Sequence, residues 1–155
     1  MALPTVHRQL LVDNVKTALE ALLTVAAGVD YRHQLRTVTG APEPLEQVDP
    51  ARMPWVLVTS EDGNSGNEPS KSDNDEADLV LTVYVFEDET RFPGLSAPEL
   101  MEEVLADVEK ALDADLSRGG RAYGATRRRE LFHDLAGAWA VCIITESINY
   151  TRRRA

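Results

Sequence analysis

A chain of 155 residues is the length of one domain and can bury roughly two-thirds of its extended surface, and 43% hydrophobic content excludes wholesale disorder. A net charge of −10 excludes a general nucleic-acid binder, which needs a basic surface. The apolar runs fall short of a membrane span, no charged-then-apolar leader opens the chain, and a lone cysteine, Cys142, excludes an internal disulfide, so the expectation is a soluble protein made in a reducing compartment.

Thr5 is a candidate cap for a helix over residues 6–27, where Leu11, Val15, Ala18, Leu19, Leu22 and Ala26 form one apolar stripe and Gly28 supplies the stop. Residues 31–39 read as a weakly alternating strand. The connector 41–54 is punctuated by Pro42, Pro44, Pro50 and Pro54, which argues against regular structure. Residues 55–60 (WVLVTS) form a compact buried strand, and 77–86 alternate plainly, with Leu79, Leu81, Val83 and Val85 opposite Val80, Thr82, Tyr84 and Phe86. Between them, residues 61–76 are polar and without periodicity, as expected of a mobile acidic loop.

Ser96 with Glu99 makes a capping box for a second helix, whose stripe is Leu100, Val104, Leu105, Val108 and Leu112 and whose outer face is Glu102, Glu103, Asp107 and Glu109. After a turn at Gly119-Gly120, residues 125–134 read as a strand with a basic outer face, and 138–150 as the closing strand. That strand is apolar on both faces: Trp139, Val141, Ile143 and Thr145 on one, Ala140, Cys142, Ile144 and Glu146 on the other. One face has two helices to meet; the other must meet connector loops or a second subunit. Trp139 is expected on the more completely covered face. The predicted class is α+β, a mostly antiparallel sheet with two amphipathic helices on one face, in the order helix, strand, strand, strand, helix, strand, strand. A single domain covers residues 1–155, with a flexible basic tail at 151–155.

No reaction centre is legible. His7, His33 and His133 have no metal-ligand spacing, and Cys142 sits in an apolar run as a structural thiol. Gly-x-Ser-x-Gly and phosphate-loop patterns are absent. The run Asp73-Asn-Asp75-Glu76-Ala-Asp78 lacks the glycine and distal glutamate of a calcium loop. An enzyme, a cofactor and a resident metal are therefore not expected.

Charge is instead segregated. Residues 61–91 hold ten carboxylates against Lys71 and Arg91, a net of −8; residues 116–155 hold eight arginines against Glu130, Asp134 and Glu146, a net of +5. Both ends are solvated, or the acidic side of one copy docks on the basic side of another. In a strand, Arg127 and Arg129 share a face and Arg128 takes the other. All three reach water at a sheet edge, or they pair with carboxylates of a neighbouring subunit, the candidates being Asp73, Asp75 and Glu76 of the loop and Glu102 and Glu103 of the second helix. Arg152, Arg153 and Arg154 are a disordered tail or an arm that orders on a partner.

The N-terminal helix (VHRQLLVDNVKTALEALL), the short strand after Pro54 (WVLV), the long-looped hairpin to LVLTVYVF, the helix ELMEEVLADVEKAL running into Asp115-Leu116-x-x-Gly119-Gly120, and the last strand to Tyr150 make a recognisable order. It resembles the tail terminator and tail completion proteins of long-tailed bacteriophages, related to the minor tail protein U group. The resemblance implies a small α+β domain, not an enzyme, that forms a six-membered ring with itself on the head-proximal end of the tail tube in the virion. Such a ring halts tube growth and offers a head-joining surface. The implied partners are the tail tube protein and the head–tail connector or neck proteins; genomic DNA passes through without specific binding, and no membrane is involved. A neck or head-closure connector, or a non-viral protein-binding module, is the alternative reading. The long acidic loop and the triple arginine have no counterpart in that family pattern.

Overall fold

A computed structural model describes residues 7–25, 28–40, 49–62, 74–114, 122–133 and 138–151. Seven elements follow in the predicted order: α1 (His7–Glu20), β1 (Thr37–Thr39), β2 (Trp55–Asp62), β3 (Asn74–Phe86), α2 (Ala97–Asp113), β4 (Ala122–His133) and β5 (Trp139–Thr151). The five strands form one sheet in the order β1-β2-β3-β5-β4. All pairs are antiparallel except β1 with β2, which run parallel with Thr37 opposite Trp55. Both β3 and β4 are antiparallel to β5 and so run parallel to each other, with α2 as their crossover and β5 returning into the gap.

Side-chain alternation decides where the core lies. Ala77, Leu79, Leu81, Val83 and Val85 of β3 are fully buried, as are Ala140, Cys142, Ile144 and Ile148 of β5 and Val56 and Val58 of β2. They share one cluster with Leu11, Val15, Leu19 and Leu22 from the α1 side and Leu100, Met101, Val104, Leu105, Val108 and Leu112 from α2. Both helices therefore cover the same sheet face, as the two stripes require.

The N-terminus of α2 is capped as expected: the Ser96 hydroxyl accepts from the Glu99 N–H at 3.4 Å and donates to the Glu99 carboxylate at 2.7 Å. Helix α1 ends sooner than its periodicity suggests. It passes into a 3₁₀ turn at Ala21–Leu23, and Gly28 lies beyond, at φ +85°, in the left-handed region that a glycine tolerates. The expected cap Thr5, and Ala26 of the stripe, fall outside the described residues. The strand expected over 31–39 contracts to Thr37–Thr39, because the backbone before it is tied elsewhere. Leu35 N–H donates to the Leu22 carbonyl, and Arg36 N–H to that of Pro54, which follows a cis peptide bond. The hairpin strands run further into the acidic stretch than predicted, β2 to Asp62 and β3 from Asn74. Residues 63–73 of that loop are outside the described residues, as are Gly119-Gly120.

Asp107 is the main departure on the helices. Helical spacing assigns it to the acidic outer face, yet it is 4% exposed. Its carboxylate accepts the backbone N–H of Arg32 at 3.0 Å and of His33 at 2.8 Å, fastening α2 to the α1–β1 connection. His33 lies over the same place, with Nε2 3.3 Å from a Glu103 oxygen and its ring edge-on to Phe92. Two charge-assisted bonds to a buried carboxylate are a strong local tie. Asp107→Ala should destabilise the fold by about 2–3 kcal/mol in urea unfolding, whereas Glu102→Ala, at an exposed ion pair, should cost under about 1 kcal/mol.

Candidate interaction surface

Both helices lie on one face, and among the described residues no α-helix covers the other face of the sheet. Cross-strand register identifies its rows: Leu57, Thr59, Val80, Thr82, Tyr84 and Phe86 from the hairpin, then Trp139, Val141, Ile143 and Thr145 from β5, then Arg128, Glu130 and Phe132 from β4. Most are half-buried by their neighbours alone; Trp139 is 39% exposed and Phe132 48%. Trp139 thus lies on the uncovered face, contrary to expectation, and the row through Ala140, Cys142 and Ile144 is the covered one. Both rows of β5 are apolar, so alternation alone could not assign them.

The covered tryptophan is Trp55, at 1% exposure. It shares the open face, but the 3₁₀ segment Pro50–Arg52 folds over that corner. The Arg52 guanidinium sits 4.2 Å from the Trp55 ring centroid, Tyr84 packs against it at 5.0 Å, and the indole N–H donates to the Thr39 hydroxyl at 2.8 Å. Between this corner and β5 lies a shallow apolar cavity of about 280 Å³, lined by Pro50, Met53, Tyr84, Phe86, Trp139 and Val141.

Strand β4 is the sheet's outer edge, and its three adjacent arginines divide as strand periodicity requires. Arg127 turns to the helix face. Its Nη2 lies 3.0 Å from Asp113 and 3.1 Å from Glu146, which is 1% exposed, and Nε adds a bond to Glu146 at 3.3 Å. Burial works against the Arg127 charge, but the hydrogen bonds and charges of Asp113 and Glu146 outweigh it and raise its pKa. Arg129, on the same face, reaches Glu102 at 3.7 Å and Glu109 at 4.0 Å, all more open to water. Arg128 points to the open face and is exposed.

The other expected contact residues are scattered. Glu103 joins Arg32 at 3.8 Å and His33 within the same domain. Asp75 and Glu76 fall in β3, opposite Tyr150 and Asn149 of β5. Asp73 and Arg152, Arg153 and Arg154 lie outside the described residues. Asp78, counted with the acidic run, is 5% exposed and accepts from the Ser147 hydroxyl at 2.7 Å. The structure thus divides these residues between two intramolecular clusters, Arg127 with Asp113 and Glu146 and Arg129 with Glu102 and Glu109, and it sets Arg128 apart beside an apolar face.

The missed surface residues are Tyr84, Phe86, Phe132, Val141 and Ile143, whose signal is a second apolar row in strands already credited with one. Among the described residues no group of three or more His, Cys, Asp and Glu side chains is placed to hold a metal, and no helix is long and apolar enough to cross a membrane.

Two measurements separate these environments. Arg127→Ala should lower stability by about 2 kcal/mol, because buried Glu146 loses charged hydrogen bonds, while Arg128→Ala and Arg129→Ala should each stay within about 0.5 kcal/mol. Burial pushes the Cys142 thiol up to about 11, against the opposing pull of Arg129 and with the support of Glu102 and Glu109. At pH 8 a thiol reagent should therefore label the native protein far more slowly than the urea-unfolded chain. Family models and curated proteins offer no match to this sequence.

Proposed function

We propose that this chain is a structural virion protein of a long-tailed phage, a tail terminator that caps the tail tube as a hexameric ring, stops its polymerisation and provides the surface for head joining. The observation that carries the reading is the sheet face that no described α-helix covers: half-buried Tyr84, Phe86, Val141 and Ile143 and exposed Trp139 form an apolar row beside the cavity at Pro50 and Met53. Contiguous apolar surface of this kind is a place for another protein. The element order of the terminator family supports the same reading, as does the charge segregation along the chain. A ring needs two unlike patches that meet head to tail, and an acidic and a basic side are unlike in that sense. The work is done by contact, without a reaction centre or cofactor. The partners are further copies, the tube protein and the neck proteins, while DNA passes an acidic or neutral lumen without being held.

Trp139→Glu and Phe132→Glu place charge on that face at positions already open to water, so the fold should survive. In electron micrographs of tails assembled with the native protein, its density should sit at the head-proximal tip and tube lengths should be uniform. The Trp139→Glu protein should leave tips bare and tubes overlong, with an unchanged melting temperature. Decoration of the neck rather than the tube tip would favour the connector reading, and no affinity for tails at all would favour a non-viral binding module.

A further inference from the structure

The outer edge of the sheet, formed by β4, carries a second contact that does not rest on the tail reading. Its open-face row holds Arg128 and Glu130, opposite Thr145 and Ile143 of β5; both are exposed, and neither has an ion-pair partner among the described residues. We infer that β4 is a homodimerisation strand, which pairs antiparallel with β4 of a second copy about a two-fold axis through Arg129 and sets Arg128 of each copy opposite Glu130 of the other.

The register follows from symmetry and charge. An antiparallel edge pairing that continues the sheet has its two-fold axis perpendicular to the sheet, so the open faces of both copies stay on one side. Opposed residues then point to the same face, and the axis must pass through a residue rather than between two. Glu130 is the sole carboxylate in β4, and the one arginine on its face is Arg128. Only the axis through Arg129 places these two opposite each other. An axis through Arg128 opposes Arg128 to itself and Arg127 to Arg129; an axis through Glu130 opposes Glu130 to itself. The chosen register also pairs Thr126 with Phe132 on the open face and Arg127 with Leu131 on the other.

Charges on an edge strand ordinarily guard it against pairing. Here the like charges are already answered inside each copy. Arg129, which meets its own mate at the axis, is held near Glu102 and Glu109, and Arg127 is bound to Glu146 and Asp113. Among the described residues, what remains unmatched along the edge is the Arg128–Glu130 couple, and a second copy supplies its complement twice. The partly exposed Leu131 (41%) and Phe132 (48%) gain cover in the same step. The result is one continuous sheet across two copies, closed at two. Because the ring proposed above draws on the same basic side, a given β4 edge serves one contact at a time.

Sedimentation of the full-length protein over a micromolar range should show a dimer. Cross-strand unlike pairs become like pairs in Arg128→Glu and in Glu130→Arg, so each should weaken dimerisation at least about ten-fold, and the double variant should recover it to within about three-fold of native. Opposed Cα atoms at the axis lie about 4.5–5.5 Å apart, within disulfide reach, so Arg129→Cys should oxidise to a covalent dimer, while the native protein, with Cys142 buried, should not. A monomer throughout with no Arg129→Cys cross-link, or an oligomer indifferent to both charge reversals, overturns the inference. A double variant no tighter than the singles does so as well.

Discussion

The structure depends on one asymmetry: two amphipathic helices serve a sheet that is apolar on both faces. Helix stripes at α1 and α2 need cover, and the row through Leu79, Leu81, Val83, Cys142 and Ile144 provides it. Burying such side chains is worth about 1.5–3 kcal/mol each, which commits both helices to that side. Among the described residues no third α-helix covers the row through Tyr84, Trp139, Val141 and Ile143. That row is shielded at one corner, where Pro50–Arg52 closes over Trp55, and half-buried to exposed along the rest. Packing thus leaves a second, less covered apolar face as a by-product of building the core.

The same alternation sorts the arginines. Three identical side chains in a row meet three environments because successive residues of β4 point to opposite faces and because α2 overlies part of one of them. Arg127 meets a buried carboxylate, Arg129 a pair of wet ones, and Arg128 the open face. A feature that reads in sequence as a single basic patch is a structural clamp, a surface pairing and an exposed cation side by side.

Element order, the capping box at Ser96 and the core rows of β3 were legible because each rests on local periodicity or local hydrogen bonding. The side on which Trp139 lies was not, since β5 has two apolar rows and the choice between them is made by where the helices dock. Asp107 was misplaced for a related reason: its partners, the N–H groups of Arg32 and His33, lie more than seventy residues away and leave no mark in the helix period. The parallel pairing of β1 was hidden because three residues carry almost no alternation; what leads the chain into that pairing is the pair of hydrogen bonds that the Arg36 and Thr37 N–H groups donate to the Pro54 carbonyl beside it. The candidate surface was half legible. Its arginines stand out in the chain, whereas its aromatic residues look like core.

If the open face is where this protein does its work, its side chains must lose contact with water when it takes its place on a tail. Hydroxyl-radical footprinting of the free protein and of the protein bound to isolated tails reads that directly, residue by residue. Trp139, Phe132 and Tyr84 should be oxidised in the free protein and protected on the tail, with Trp55 protected in both. Equal oxidation of Trp139 and Phe132 in the two states, with the protein demonstrably bound, would contradict the account.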